Sequence, residues 1–241
     1  MHREATIVLA IAHRGASAYA PENTRAAFDL AIDMGSSLIE TDVQLTRDGE
    51  LVLIHDDLVD RTSDGSGPVA DHTLSDLRRL DFGGWFAPER EHQSIVTLTE
   101  FWSDYLPRIP ACLEIKDPLA TEALLRFLGA NAYSGDHLQV TSFSWTAVVQ
   151  ARAALATAVG FLSQTFNEDL IDRCARCGFD QVCPPVHLLD AELVDLAHRR
   201  GLTVRAWGVR KRSDIDRLFE TGADGATTNW PDWIIERSVT H

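Results

Sequence analysis

Leu38-Ile39-Glu40-Thr41-Asp42-Val43-Gln44-Leu45 is the stretch on which the reading of this chain turns. Leu38, Ile39, Val43 and Leu45 give it the character of a buried strand, yet two carboxylates sit inside it. Successive side chains of a strand point to opposite faces, so Glu40 and Asp42 share one. Like charges on a half-buried face repel and lose hydration, a cost relieved when a cation lies between them. Hard divalent ions such as Mg²⁺ or Ca²⁺ take oxygen ligands, and a carboxylate pair at strand spacing is a natural start for such a site. The competing reading is a solvent-facing edge strand that merely carries two acids.

Ahead of this stretch, the apolar run 7–12 reads as a buried strand leading into His13-Arg14-Gly15. Pro21-Glu22-Asn23-Thr24 follows with helix-start character, then a helical pattern through Phe28, Ile32 and Met34 that stops at Gly35. Behind it, Asp48-Gly49 marks a tight turn, and a strand over 51–54 runs into His55. The irregular segment 56–96 reads as an insertion on a regular framework, and long segments of this kind are often functional. Alternation then resumes, with strands at 111–115, 138–142, 158–162, 181–183, 204–207 and 225–227. Helices fall at 98–106, 119–128, 145–154, 168–177, 191–200, 213–221 and from Pro231 onward. With 51–54 counted as a local extension, eight strand-then-helix units fill the 241 residues. That is the content of a TIM (β/α)8 barrel in one domain. No Gly-x-Gly-x-x-Gly follows the first strand and no P-loop is present, which weighs against a doubly wound open sheet.

A formal net charge of −14 argues against a nucleic-acid partner. It also means that an anionic small molecule needs a local cation to enter, which favours a metal. Four cysteines in a chain of this length make no disulfide framework. Cys174 and Cys177 have zinc-like spacing without a second pair, and residues three apart on a helix also share a packing face. The run 7–12 is too short for a signal-peptide core, and no segment approaches a membrane span. A reduced cytoplasm without stable membrane association is the expectation.

In a parallel barrel, function sits where strands end and the following loops begin. Those positions hold His13 and Arg14, Glu40 and Asp42, His55, Glu114 and Lys116, Ser142 and Trp207. Glu40, Asp42 and Glu114 could supply half the shell of a Mg²⁺ or Ca²⁺ ion, leaving places for water and substrate oxygens. Arg14 and Lys116 suit an anionic group. His13 and His55 form a natural acid/base pair, because imidazole titrates near neutral pH. Singly, each has a plainer explanation: a hydrogen-bonded structural histidine, a solvated lysine, a tryptophan capping the core. Their convergence on one face separates them from His2, His72, His92, His137, His187, His198 and His241, which read as surface or packing residues.

At these residues the sequence resembles the glycerophosphodiester phosphodiesterase family. The matching motifs are His13-Arg14-Gly15 with Pro21-Glu22-Asn23-Thr24, the stretch Ile39 to Thr46 with Asp48-Gly49, and His55-Asp56 leading to Asp60-Arg61-Thr62. Gly65-Ser66-Gly67, Val69-Ala70-Asp71, Leu80-Asp81, Leu113-Glu114-Ile115-Lys116, Ser142-Phe143, Ala206-Trp207 and Gly222-Ala223-Asp224-Gly225 complete the series. They run in order over nearly the whole chain. The resemblance implies a TIM barrel with an insertion after His55, and one divalent cation, Mg²⁺ or Ca²⁺ with Mn²⁺ also admissible, on Glu40, Asp42 and Glu114. It implies His13 and His55 as the acid/base residues, with Arg14 and Lys116 on the phosphate. Trp207 would pack against glycerol carbons. The reaction implied is cleavage of a glycerophosphodiester, a small-molecule substrate, into glycerol 3-phosphate and an alcohol such as choline or ethanolamine.

The chain departs from the family at Gly208-Val209-Arg210, where Thr-Val-Asn is common, at Thr228-Asn229, where Thr-Asp is frequent, and at Val96 in place of Pro. These departures are expected to touch neither the acids nor the two histidines, and to bear on substrate range. Alternatives are a lyase-type phospholipase D acting on lysolipids or sphingomyelin, and a silent barrel that binds a phosphodiester without cleaving it. Against the first stands the lack of a basic or amphipathic membrane face, against the second the full set of acids and histidines.

Overall fold

A computed structural model describes residues 8–239, except 88, 90, 117, 132 and 134 and the side chains of 118, 119 and 136. Ile7, where the first apolar run begins, and His2 and His241 lie outside the described residues.

The first two strands are β1 (Leu9–His13) and β2 (Leu38–Leu45), and β3 (Leu51–Leu53) folds back on β2. β4 (Ala111–Ile115), β5 (Leu138–Ser142), β6 (Ala158–Leu162), β7 (Gln181–Cys183), β8 (Thr203–Ala206) and β9 (Gly225–Thr228) follow. The order β1-β9-β8-β7-β6-β5-β4-β2 closes through a β1–β2 pairing, so eight parallel strands make a complete barrel. Among the described strands β3 alone runs antiparallel, paired along the end of β2.

Helices α1 (Arg25–Asp33), α4 (Pro118–Ala130), α5 (Trp145–Ala154), α6 (Glu168–Arg176), α7 (Ala191–Arg199), α8 (Arg212–Thr221) and α9 (Pro231–Val239) alternate with the barrel strands. Between β3 and β4 lie the short α2 (Leu74–Leu77) and α3 (Leu98–Asp104), each opened by a capping box, Thr73 with Asp76 and Thr97 with Glu100. Such reciprocal caps satisfy backbone donors that a helix start leaves orphaned.

A parallel barrel is covered on both faces, so its strands read as near-continuous apolar runs. β1, β4 and β6 do so, and their side chains join one large core with the inner faces of the helices. Phe28 on α1 meets Phe101 and Tyr105 edge-on, at 5.0 and 5.3 Å between ring centres. Truncating a fully buried phenylalanine costs about 3–5 kcal/mol, so Phe28 anchors the first helix on the barrel. The segment between β3 and α3 carries its own small core of Val52, Ile54, Val59, Val69, Leu77, Phe82 and Ile95. Helix α6 buries Cys174 and exposes Cys177, which is packing rather than a paired thiol site.

Candidate active site

Register places the chemistry. In the parallel pairings His13 lies opposite Glu40, and Asp42 lies opposite Glu114. Three adjacent strand ends therefore present one histidine and three acids together. His55 arrives differently: the hairpin returns β3 along β2, and Ile54 N–H donates to Asp42 O at 3.1 Å. The hairpin turn needs Gly49, whose φ of +85° lies where glycine alone is at ease.

Arg14 itself has φ +57°, and its N–H donates to Glu40 O at 2.8 Å. Gly15 at φ +80° is forced as well, because a Cβ there would lie 2.6 Å from the Ala27 backbone. The tight turn after β1 thus aims Arg14 back over the acids. Asn23, also left-handed at φ +55°, donates from Nδ2 to Asp42 Oδ2 at 3.1 Å and accepts from Thr41 Oγ1 at 2.8 Å. Left-handed non-glycine residues persist where surrounding structure holds them, often at functional sites.

One carboxylate oxygen from each of Glu40, Asp42 and Glu114 lies within 4.8 Å of the others, and all three side chains are buried. Glu40 Oε1 is buried without a hydrogen-bond partner, and Asp42 Oδ1 and Glu114 Oε1 are buried with Lys116 alone beside them. The last two meet the Lys116 ammonium as ion pairs, at 3.4 and 2.6 Å. Buried carboxylate oxygens are normally satisfied, and orphaned ones call for an explanation. An all-oxygen set fits a hard divalent cation. Burial, then the charge of Asp42, pushes Glu40 well above the usual carboxylate range. Burial and Asp42 likewise raise Glu114. Asp42 goes the other way: burial would raise it, but Arg14 and Lys116 outweigh that and hold it down.

His13 Nδ1 lies 2.5 Å from Asn229 Oδ1, and Nε2 lies 4.0 Å from Glu40 Oε2. With the amide oxygen as acceptor, Nδ1 carries the proton and Nε2 is left free. Although 29% of the ring still faces the pocket, burial and then Arg14 push the imidazole down to about 4. The expectation that the Thr228-Asn229 departure touches neither histidine is therefore wrong. β9 pairs with β1 in the closed barrel, which brings the loop after β9 onto His13. His55 has a carboxylate partner instead, Asp56 Oδ1 at 2.5 Å from Nδ1. Arg61 donates to Asp56 Oδ2 at 2.5 Å and to both Glu22 oxygens at 2.8 Å, while Arg14 donates to Glu22 Oε1 at 2.7 Å. A continuous chain of charges thus joins His55 to Arg14.

These groups open on a cavity of about 550 Å³. Its wall includes His13, Arg14, Glu40, His55, Glu114 and Lys116, with Trp207 on the apolar side. Asp42 lies beneath, fully buried. Trp207 is fixed by its indole N–H, which donates to Ser163 O and Cys183 O at 3.2 and 3.1 Å. Ser142 does not join this group, since its hydroxyl is spent on Ile115 O at 2.8 Å. Sequence reasoning assigned no role to Asp56, Asn229, Glu22, Arg61 or Arg205. Arg205, 4% exposed on β8, projects into the barrel and donates to Cys112 Sγ at 2.8 Å and Thr141 Oγ1 at 3.3 Å.

Carboxylate oxygens open to a hard cation, beside cations open to an anion, are what a phosphate ester demands of a site. Here they stand at the strand-end mouth where TIM-barrel enzymes keep their chemistry, and the class is a TIM-barrel phosphodiester hydrolase. Residues 13–233 match the glycerophosphoryl diester phosphodiesterase family, and the chain belongs to it. It is 36% identical over 234 residues to YhdW of Bacillus subtilis (strain 168), spanning 94% of this chain and 96% of that one. With the glycerophosphodiester phosphodiesterase of Caldanaerobacter subterraneus subsp. tengcongensis it shares 33% over 238 residues, again 94% and 96% of the two chains. A phosphodiesterase of Oleispira antarctica, solved in complex with the product sn-glycerol-3-phosphate, matches with a TM-score of 0.86 at 29% identity over 96% of each chain.

Proposed function

We propose that this chain hydrolyses glycerophosphodiesters to glycerol 3-phosphate and an alcohol, with one divalent cation on Glu40, Asp42 and Glu114. The observation that carries the reading is the cluster of three buried carboxylates, each turning an oxygen to the others, with His13 and His55 lining the same pocket and Arg14 and Lys116 against the acids. Mg²⁺ or Ca²⁺ suits that donor set, and Mn²⁺ shares it. When bound, the ion supplies charge stabilisation at the phosphoryl oxygens.

Arg14 and Lys116 add to that stabilisation and orient the phosphate, the main demand in phosphoryl transfer. His13 is the base. Burial and Arg14 keep the ring uncharged and Asn229 holds Nδ1, which leaves Nε2 open to accept the proton of the attacking group, a water or a neighbouring glycerol hydroxyl. His55 is the acid. The Asp56 carboxylate accepts from Nδ1 and orients the ring towards the pocket, and the imidazole gives a proton to the oxygen of the departing alcohol as the P–O bond breaks. Trp207 packs against glycerol carbons. The same reading takes the chain as one domain, with 56–96 inserted to deliver Asp56 and Arg61.

Release of glycerol 3-phosphate from glycerophosphocholine and glycerophosphoethanolamine, before and after EDTA with Mg²⁺, Ca²⁺ and Mn²⁺ restored singly, tests it. Turnover abolished by EDTA and recovered with one ion is the expected result. A cyclic phosphate product would point to the lyase alternative, and absence of any turnover to a silent binding barrel.

A further inference from the structure

Of the cations lining the pocket, Arg14 is paired with Glu22 and Asp42, and Lys116 with Glu114 and Asp42. Arg205 is enclosed in the barrel and donates to Cys112 and Thr141. Arg210 differs. It lines the same pocket, its residue is exposed, and among the described residues its side chain meets no carboxylate. Its backbone is held, because the N–H groups of Arg210 and Lys211 both donate to Asp214 Oδ2, at 2.9 and 3.1 Å. That spends Asp214 Oδ2 on the main chain. Gly208, at φ +77° just ahead, makes the turn that carries Arg210 to the pocket.

Resting on the phosphodiesterase reading above, we propose that Arg210 selects substrates whose leaving alcohol carries an anion, a carboxylate or a second phosphate, over those with a quaternary ammonium. The argument is one of charge matching. The diester carries a single negative charge, which Arg14, Lys116 and the metal site already meet. The glycerol arm is neutral in every glycerophosphodiester. A further unpaired guanidinium in the pocket therefore finds its partner only on the alcohol, and guanidinium is the side chain best shaped for carboxylate or phosphate.

Aromatic rings could instead favour a quaternary ammonium, as in choline recognition. Their faces here are partly taken: Lys116 Nζ lies 5.9 Å from the Phe143 ring centre, and Trp230 stacks on Trp233 at 4.7 Å. A choline group would enter a pocket holding these cations and, among the described lining residues, meet no carboxylate beyond those at the metal site. Arg210 disfavours it.

The test is kcat/KM for glycerophosphocholine, glycerophosphoglycerol and glycerophosphoinositol 4-phosphate, measured on the wild type, Arg210→Ala, Arg210→Lys and Arg210→Glu. A charge-assisted contact at a partly open site predicts a preference of roughly tenfold or more for the phosphorylated alcohol over choline in the wild type. That ratio should fall towards one in Arg210→Ala, return in part in Arg210→Lys and invert in Arg210→Glu. Turnover of all three diesters without a head-group preference, or with a preference that survives Arg210→Glu, overturns the role of Arg210 and leaves the phosphodiesterase reading intact. Hydrolysis of none of them overturns that reading and this inference with it.

Discussion

Asp56→Asn is the sharpest test of how the two histidines divide their work. The carboxylate accepts on both oxygens: Oδ1 from His55 Nδ1 and Arg61 Nη2, Oδ2 from Arg61 Nε. An amide of the same shape has one acceptor and one NH₂, so either Arg61 or His55 must face a donor. The arginine keeps its bonds to Glu22, and the loss falls on the imidazole, whose protonated form no longer has an anion beside it. A hydrogen bond to a charged group is worth about 1.5–3 kcal/mol, so turnover with a poor leaving group such as choline should fall roughly 10- to 150-fold. If His55 protonates the leaving oxygen, that deficit is specific to alcohols needing a proton. A p-nitrophenyl diester of glycerol phosphate, whose leaving group departs as an anion, should be hydrolysed with little loss. Metal affinity should stay at the wild-type value, because Asp56 is not among the three acids. Equal losses on both substrates would refute His55 as the acid, and no loss on either would refute Asp56 as its positioning partner.

Other outcomes follow from the same geometry. In Asn229→Asp a carboxylate replaces the neutral partner of His13, which should move the acid limb of kcat/KM upward by roughly 1–3 pH units. The sign for stability agrees: with the folded-state value near 4, below the ordinary 6.5, the wild type loses stability as pH falls from 6.5 towards 4, and the variant should lose less in urea melts. Glu40→Ala should weaken metal binding by more than about a hundredfold and abolish turnover together, whereas His55→Ala should bind the ion normally, as calorimetry with Mg²⁺ or Mn²⁺ would show. Glu22 is held below its ordinary 4.5, since Arg61 and Arg14 outweigh the raising effect of burial. Its contribution is present above 4.5 and lost as pH falls through the lower folded value, so Glu22→Gln should flatten the acid side of the stability profile. KM for an anionic diester should rise with salt, read by steady-state kinetics from low salt to 0.5 M NaCl.

The parts of the site legible in the sequence share one property: each violates the pattern of its own element. Glu40 and Asp42 interrupt an apolar strand, Glu114 does the same in β4, and His13 and His55 stand where apolar runs stop. Arg205 gives that signal too, as a cation between Val204 and Ala206, and could have been found by the logic applied to Glu40. Asn229 could not. Its contact with His13 spans 216 residues and exists because the barrel closes β9 onto β1, a register that local spacing does not encode. Arg61 and Glu22 come from loops without periodicity, and their pairing depends on how the segment after β3 packs on its own core. Helix ends show a milder limit: 98–106 reads as one helical pattern, yet α3 ends at Asp104, where its closing turn loosens before Ile109 packs into the barrel.

Charge links these local features to the whole molecule. A formal net charge of −14 taken at face value would repel a phosphodiester. Within the pocket, however, Arg14, Lys116, Arg205 and Arg210 stand against Glu40, Glu114 and the Asp42 beneath them, four cations against three acids, before any ion is added. A divalent ion on the acids makes the excess three, and a singly charged diester still leaves it positive. Low-dielectric walls concentrate such a local field, while exposed charges farther than about 10 Å are screened at ordinary ionic strength. Burying Arg205 is costly by itself, because a guanidinium away from water needs nearby anions to hold it. Glu40 is one such anion, and Arg205 in turn favours the charged form of Glu114, which offsets part of the repulsion among the acids. The acids and the interior arginine are therefore one electrostatic unit, folded in together and drawing an anion into an acidic protein.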